Sequence, residues 1–96
     1  MQRERVLRLL RDNRDKIELF DVESLAVFGS VARDEASSKS DVDIMVVFRG
    51  PATFDQYMDL KFFLEELLGG SVDLVTQKAL KPQLRAQVEQ EAIYVP

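Results

Sequence analysis

The stretch Asp41-Val42-Asp43-Ile44-Met45-Val46-Val47-Phe48 constrains the fold more than any other part of this 96-residue chain. Strand alternation puts Val42, Ile44, Val46 and Phe48 on one face, and Asp41, Asp43, Met45 and Val47 on the other. Past the aspartates both faces are apolar, so the strand needs cover on both sides, as a central strand does. The aspartates cut against that placement. Aspartate is a poor strand former, and two carboxylates on one face repel each other. Either they lie at a solvated strand end, or a divalent cation compensates them.

The flanking segments supply the layers. Val6, Leu10, Asn13 and Ile17 share a stripe at helical spacing, widened by Leu7 and Leu9 and surrounded by arginines. Those arginines read as a solvated face, with a patch for an acidic partner or nucleotide tail as the alternative. Ser24-Leu25-Ala26-Val27-Phe28 is too short for a comfortable helix and reads as a buried strand ending at Gly29. Residues 34–40 are polar and form a loop. Thr53 and Gln56 have capping-box spacing and open a helix that runs to about Leu68, where Gly69-Gly70 stops it. Its apolar side, from Phe54 and Tyr57 through Phe62 and Phe63 to Leu68, covers most of the wheel. One small sheet does not bury all of that, which leaves surface for a partner chain. Ser71 to Thr76 is a third strand. Pro82 opens a last helix with Leu84 and Val88 inward, and Ile93-Tyr94-Val95 closes the chain as a short strand. The order predicts one α/β domain over residues 1–96, a small mixed β-sheet packed with helices.

Composition removes several chemistries. With no cysteine and no histidine, disulfides, thiolate or imidazole metal sites and Ser-His triads are excluded. Any metal must be held by oxygen, which points to magnesium, manganese or calcium. No apolar run approaches the roughly 18 residues that span a bilayer, and no secretory pattern opens the chain, so a cytoplasmic location is expected and no membrane partner. The net charge of −4 argues against general nucleic-acid binding. It is unevenly spread: residues 1–16 hold six Lys/Arg against three Asp/Glu, and the remainder seven against fourteen. A chain of this size buries one core, with little room for a separate substrate domain.

Topology brings scattered residues together. If the first two strands pair antiparallel, the end of one and the start of the other share a sheet edge. A helical crossover makes the second and third strands parallel neighbours, so Asp73 comes to that same edge. Gly29, Ser30, Asp41, Asp43 and Asp73 then converge from a span of 45 positions. Glycine lets backbone approach a ligand, Ser30 opens a short helical turn whose amides suit phosphate oxygens, and Arg33 lies one turn on. Carboxylates facing such donors describe a phosphoryl- or nucleotidyl-transfer site holding one or two Mg²⁺ ions.

Phe28-Gly29-Ser30-Val31-Ala32-Arg33 followed by Ser40-Asp41-Val42-Asp43-Ile44 resembles the G-S-x-A-R … S-D-x-D signature of the minimal nucleotidyltransferases, in the polymerase-beta-like nucleotidyltransferase superfamily. Val72-Asp73-Leu74-Val75 matches the place of their third carboxylate, and Glu91-Ala92-Ile93-Tyr94-Val95 looks like their ending. Asp34 departs from the pattern, since many relatives have glycine there. The resemblance implies the polymerase-beta-like nucleotidyltransferase fold, with Gly29 and Ser30 on the β- and γ-phosphates of a nucleoside triphosphate. It implies Asp41 and Asp43 as Mg²⁺ ligands, and Asp73 as completing the metal site and helping to activate the attacking hydroxyl.

Many members are paired with a HEPN-domain toxin as its antitoxin, and some are thought to attach AMP to it. The expected function is therefore Mg²⁺-dependent transfer of AMP from ATP to a hydroxyl on a HEPN-domain partner. The alternatives are an antitoxin that acts by binding alone, or transfer to a small molecule of aminoglycoside type. Self-association is compatible with all three.

Overall fold

The structure, a computed structural model, describes residues 2–37 and 41–96. In chain order the elements are α1 (Arg3–Asp12), α2 (Arg14–Glu18), β1 (Val22–Phe28), α3 (Gly29–Ala32), β2 (Val42–Phe48), α4 (Phe54–Leu68), β3 (Val72–Thr76), a 3₁₀ turn (Gln77–Ala79), α5 (Pro82–Glu91) and β4 (Ile93–Tyr94). The sheet order is β3-β2-β1-β4. β1 runs antiparallel to β2 and β4, and β2 runs parallel to β3. The expected mixed sheet, with the aspartate-bearing strand inside it, is what forms. Part of the expected 34–40 loop, with Ser40 of the signature, lies outside the described residues.

The two sheet faces differ greatly in cover. Leu25 and Val27 of β1, Val42, Ile44 and Val46 of β2, and Val72 and Leu74 of β3 join Val6, Leu10, Ile17, Leu60, Leu64 and Leu68 in one continuous core. Burying such side chains stabilises by roughly 1.5–3 kcal/mol each. Among the described residues, the buried cluster on the opposite face consists of Ala26, Met45 and Val88, with Phe28, Val75, Leu80 and Ala92 packed around them. Alternation assigns Asp41, Asp43 and Asp73 to this second, thinly covered face. The sparse layer is what leaves room for a site.

Several local expectations change in detail. The opening helix breaks at Asn13, whose side chain donates back to the Leu9 carbonyl at 2.8 Å. Its arginines are not all solvated. Arg3 donates to the carbonyl of Ala32 and Arg5 to that of Leu68, the last residues of α3 and α4, so two guanidinium charges sit on helix C-termini. Arg14 donates to the Glu23 carbonyl at 3.1 Å. The capping box is half made. Thr53 Oγ1 accepts from the Gln56 N–H, but the Gln56 side chain donates to the Phe20 carbonyl instead of accepting from the Thr53 N–H. Gly69 ends α4 at φ 74°, as the stop signal requires. Leu84 is 48% exposed rather than inward, and α5 is held by Val88.

The broad apolar side of α4 is mostly used. Leu60, Leu64 and Leu68 are buried, Tyr57, Phe63 and Leu67 pack against the core, and Phe63 meets the Phe20 ring with centroids 5.2 Å apart. Phe54 and Phe62 remain exposed. The same helix covers the free edge of β3. Glu65 Oε2 accepts the Val72 N–H at 3.0 Å, and the Tyr57 hydroxyl donates to the Leu74 carbonyl. Both are backbone groups on the side of β3 away from β2, so they are withdrawn from pairing with another strand.

Candidate active site

Phe28 ends β1 opposite Asp43, the second residue of β2, and Asp43 is in turn the register partner of Asp73 on β3. Three neighbouring strands therefore deliver one glycine turn and two carboxylates to a single edge. The turn begins immediately after Phe28. Gly29 adopts φ 71°, which L side chains rarely do, and a Cβ added there would lie 2.1 Å from Asp43 Oδ2 and 3.0 Å from its Cγ. Glycine is thus required twice, for the backbone angle and for contact with the carboxylate. Ser30, Val31 and Ala32 complete the single turn of α3, as the sequence predicts.

Crowding shows in the protonation of Asp43. Burial first, then the charges of Asp73 and Asp41, a hydrogen bond with Asp73 and the charge of Glu91 push its carboxyl from 3.8 up to about 6. Asp41 and Asp73 are both exposed. Among the described residues, no group of three or more His, Cys, Asp or Glu side chains stands ready to hold a metal ion. The adjacent pair Asp43 and Asp73, with Asp41 near enough to act on Asp43, nevertheless fits a divalent cation chemically. All the donors are hard oxygens, and their mutual repulsion is what such an ion relieves.

The Asp43 shift fixes the sign of a pH effect. A carboxyl whose folded pKa lies above its unfolded value contributes stability that is present below about pH 4 and lost as pH rises through about 6. In chelator, the melting temperature of the wild type should therefore fall between pH 4.5 and 7 relative to Asp43→Asn, which lacks this titration. Parallel curves for the two proteins would show that Asp43 is not crowded.

Arg33 sits one turn past Gly29, but its guanidinium is already engaged. Nε donates to Glu35 at 3.2 Å and Nη1 to Glu91 at 2.9 Å, and these two carboxylates raise the Arg33 pKa above its ordinary value. Glu91 also accepts the Gly29 N–H at 3.0 Å. It is the site neighbour that sequence reading passed over. The signal was there: Glu91 is the last residue of α5, the helix end where a carboxylate is electrostatically disfavoured. Asp34 takes φ 60° and is exposed, a left-handed backbone that glycine adopts freely and aspartate tolerates.

A shallow groove of about 540 Å³ runs beside Asp73, lined by Thr53, Phe54, Tyr57, Val75, Thr76 and Ala79 among others. A smaller hollow of about 250 Å³ lies at the C-terminal ends of β2 and β3, between Val46, Phe48, Pro51, Thr76 and Lys78. It contains no carboxylate and belongs to the other end of the sheet. No helix among the described residues is long and apolar enough to cross a membrane.

Comparison with known proteins adds family context to this geometry. Residues 6–95 match the sequence profile of the family described as nucleotidyltransferase domain. The protein adenylyltransferase MntA of Thermococcus cleftensis is 42% identical over 78 residues, covering 81% of this chain and 79% of that protein. A solved structure provisionally named a minimal nucleotidyltransferase superposes with a TM-score of 0.83 at 41% identity, covering 97% of this chain and 95% of its own. A chain in the structure of a tri-AMPylated Shewanella oneidensis HEPN toxin in complex with MNT antitoxin superposes at 0.68, over 94% of this chain and 71% of its own length. At 20% identity, that last likeness is one of fold alone.

Proposed function

The chain belongs to the nucleotidyltransferase domain family, as a minimal nucleotidyltransferase, and on that premise we propose that it transfers AMP from ATP to a hydroxyl of a partner protein. The reading is carried by one observation. The Gly29 Cα lies against the Asp43 carboxylate, and Asp73 is the register partner of Asp43. A phosphate-binding turn and a carboxylate pair in contact across one sheet edge suit the two ends of a bound triphosphate.

In this reading Gly29 and Ser30 receive the β- and γ-phosphates, and Arg33 adds positive charge by exchanging Glu35 for a phosphate while it keeps Glu91. Asp41, Asp43 and Asp73 would hold Mg²⁺, which supplies neutralisation of the triphosphate's charge. The acceptor hydroxyl approaches along the groove beside Asp73, which takes its proton. The hydroxyl oxygen forms a bond to the α-phosphorus, in line, as the bond from that phosphorus to the bridging oxygen breaks. Pyrophosphate leaves with the bonding pair, and AMP stays on the acceptor.

The partner we favour is a HEPN-domain toxin, with this chain as its antitoxin. Support comes from the 42% identical adenylyltransferase MntA and from the shared fold with a chain of the HEPN–MNT complex. Incubation of purified protein with Mg²⁺, α-labelled ATP and the product of the adjacent gene should place label covalently on that product. Chelator should prevent it. No label with any divalent cation, together with full neutralisation by the Asp41→Asn/Asp43→Asn variant, would instead establish an antitoxin that works by binding alone.

A further inference from the structure

Glu91 has two carboxylate oxygens, and each is committed to a different residue of one turn. Oε1 accepts the main-chain N–H of Gly29 at 3.0 Å, and Oε2 accepts from Arg33 Nη1 at 2.9 Å. Gly29 is the first residue of α3 and Arg33 its C-cap, so a single side chain ties both ends of the turn to α5. The Glu91 side chain is half-buried at 22% exposure, and that of Arg33 is more open at 45%. From the other direction, Asp43 presses on the Gly29 Cα. The turn is gripped between the carboxylate that faces the reaction and a carboxylate behind it.

We propose that Glu91 is a positioning residue for the nucleotide: it fixes the Gly29–Arg33 turn against the sheet, so that a triphosphate meets the turn's remaining donors, from Ser30 onward, already in place. The inference rests on the transferase reading above. Glu91 acts through Gly29 and Arg33 and makes or breaks no bond itself. Its removal leaves the donors present but unordered, and the cost of ordering them then falls on nucleotide binding.

The test uses the full chain, Mg²⁺ and AMP-PNP with no acceptor present, so that binding is measured apart from transfer. Glu91→Gln keeps an acceptor oxygen for Gly29 and loses the charge facing Arg33. Glu91→Asp keeps the charge on a shorter stem. Glu89→Gln removes a charge from the same helix, where Glu89 pairs only with Gln77 among the described contacts. The expected result is a Kd for Mg²⁺–AMP-PNP weakened about tenfold in Glu91→Gln, the scale of a lost charge-assisted hydrogen bond. It should be partly recovered in Glu91→Asp and unchanged in Glu89→Gln. Hydrogen exchange at the Gly29 amide, measured without nucleotide, should quicken in Glu91→Gln.

An unchanged Kd in Glu91→Gln overturns the proposal. So does a tighter Kd, which would make Glu91 a competitor of phosphate for the same donors. A lowered melting temperature with Gly29 exchange unaltered also overturns it, because Glu91 would then be a structural residue only. Failure of the wild type to bind AMP-PNP at all removes the transferase reading itself, and this inference with it.

Discussion

Asp43→Asn will abolish nucleotidyl transfer and, in the same protein, raise the thermal stability of the metal-free form at pH 7. The two effects have one cause. Asp43 lies against Gly29, faces Asp73 in register and feels the charge of Asp41. Its carboxyl is pushed up to about 6, so at pH 7 the folded protein holds an unfavourable negative charge that the unfolded chain bears freely. Asparagine has the same shape and no charge, which removes the repulsion. On the proposed mechanism it also removes a ligand for the cation. Charge neutralisation by a metal is worth several kcal/mol, and each 1.36 kcal/mol is tenfold in rate, so a loss of about 10³-fold or more is expected. Asp41→Asn should share the loss of activity and raise stability less, because Asp41 is exposed and ranks behind burial and Asp73 in its influence on Asp43. Melting curves in chelator, alongside labelled-ATP transfer, measure both. A variant that melts lower than the wild type, or keeps a tenth of its transfer, would sink the account.

Gly29→Ala is the second large effect, and it runs the other way on stability. Alanine at φ 71° carries a backbone cost of order 1–3 kcal/mol, and its Cβ meets Asp43 Oδ2 at 2.1 Å. Asp43 or the turn must shift, so a total loss of about 2–4 kcal/mol is expected, with nucleotide binding lost as well. The steric share can be isolated. Asp43→Ala removes the obstructing carboxylate, so the double variant Gly29→Ala/Asp43→Ala should be destabilised, relative to Asp43→Ala, only by the backbone share of about 1–3 kcal/mol. Denaturant titration of the four proteins completes the cycle. Strict additivity of the two single changes would mean that Gly29 and Asp43 do not touch in solution.

How much of this was legible beforehand depends on how locally each feature is determined. The element order, the parallel pairing of β2 with β3 and the face carrying the aspartates follow from period-2 alternation and from the helical crossover between β2 and β3, whereas the antiparallel pairing of β1 with β2 entered only as a condition. The former are written in neighbouring residues. The Gly29 turn and the Gly69 stop were readable for the same reason. Phe54 and Phe62 were read as part of a broad apolar side of α4 that one sheet would bury only in part, and they are its exposed members; how far Phe20 and the β3 edge reach over that helix is not visible in the sequence. Leu84 was assigned inward from spacing, yet α5 has a small layer to bury and Val88 fills it. The arginines of α1 looked like a solvated face. Their use on the carbonyls of Ala32 and Leu68 depends on where two distant helices end.

The stretch Asp41 to Phe48, with its two aspartates, was enough by itself to demand a central place in a layered sheet, and the glycine turn and third carboxylate followed from connectivity. Those are consequences of covalent order and alternation, which the chain carries wherever it goes. What only the tertiary structure decided is which charges meet. Arg33 faces Glu35 and Glu91, and Glu91 reaches Gly29 from 62 residues away, because α5 packs across the thinly covered face of the sheet. Asp43 is crowded enough to hold its proton to about pH 6 because three strands bring Asp73, Asp41 and the glycine turn to one edge. Electrostatic interactions act through space rather than along the chain, so their partners are settled only when the layers close.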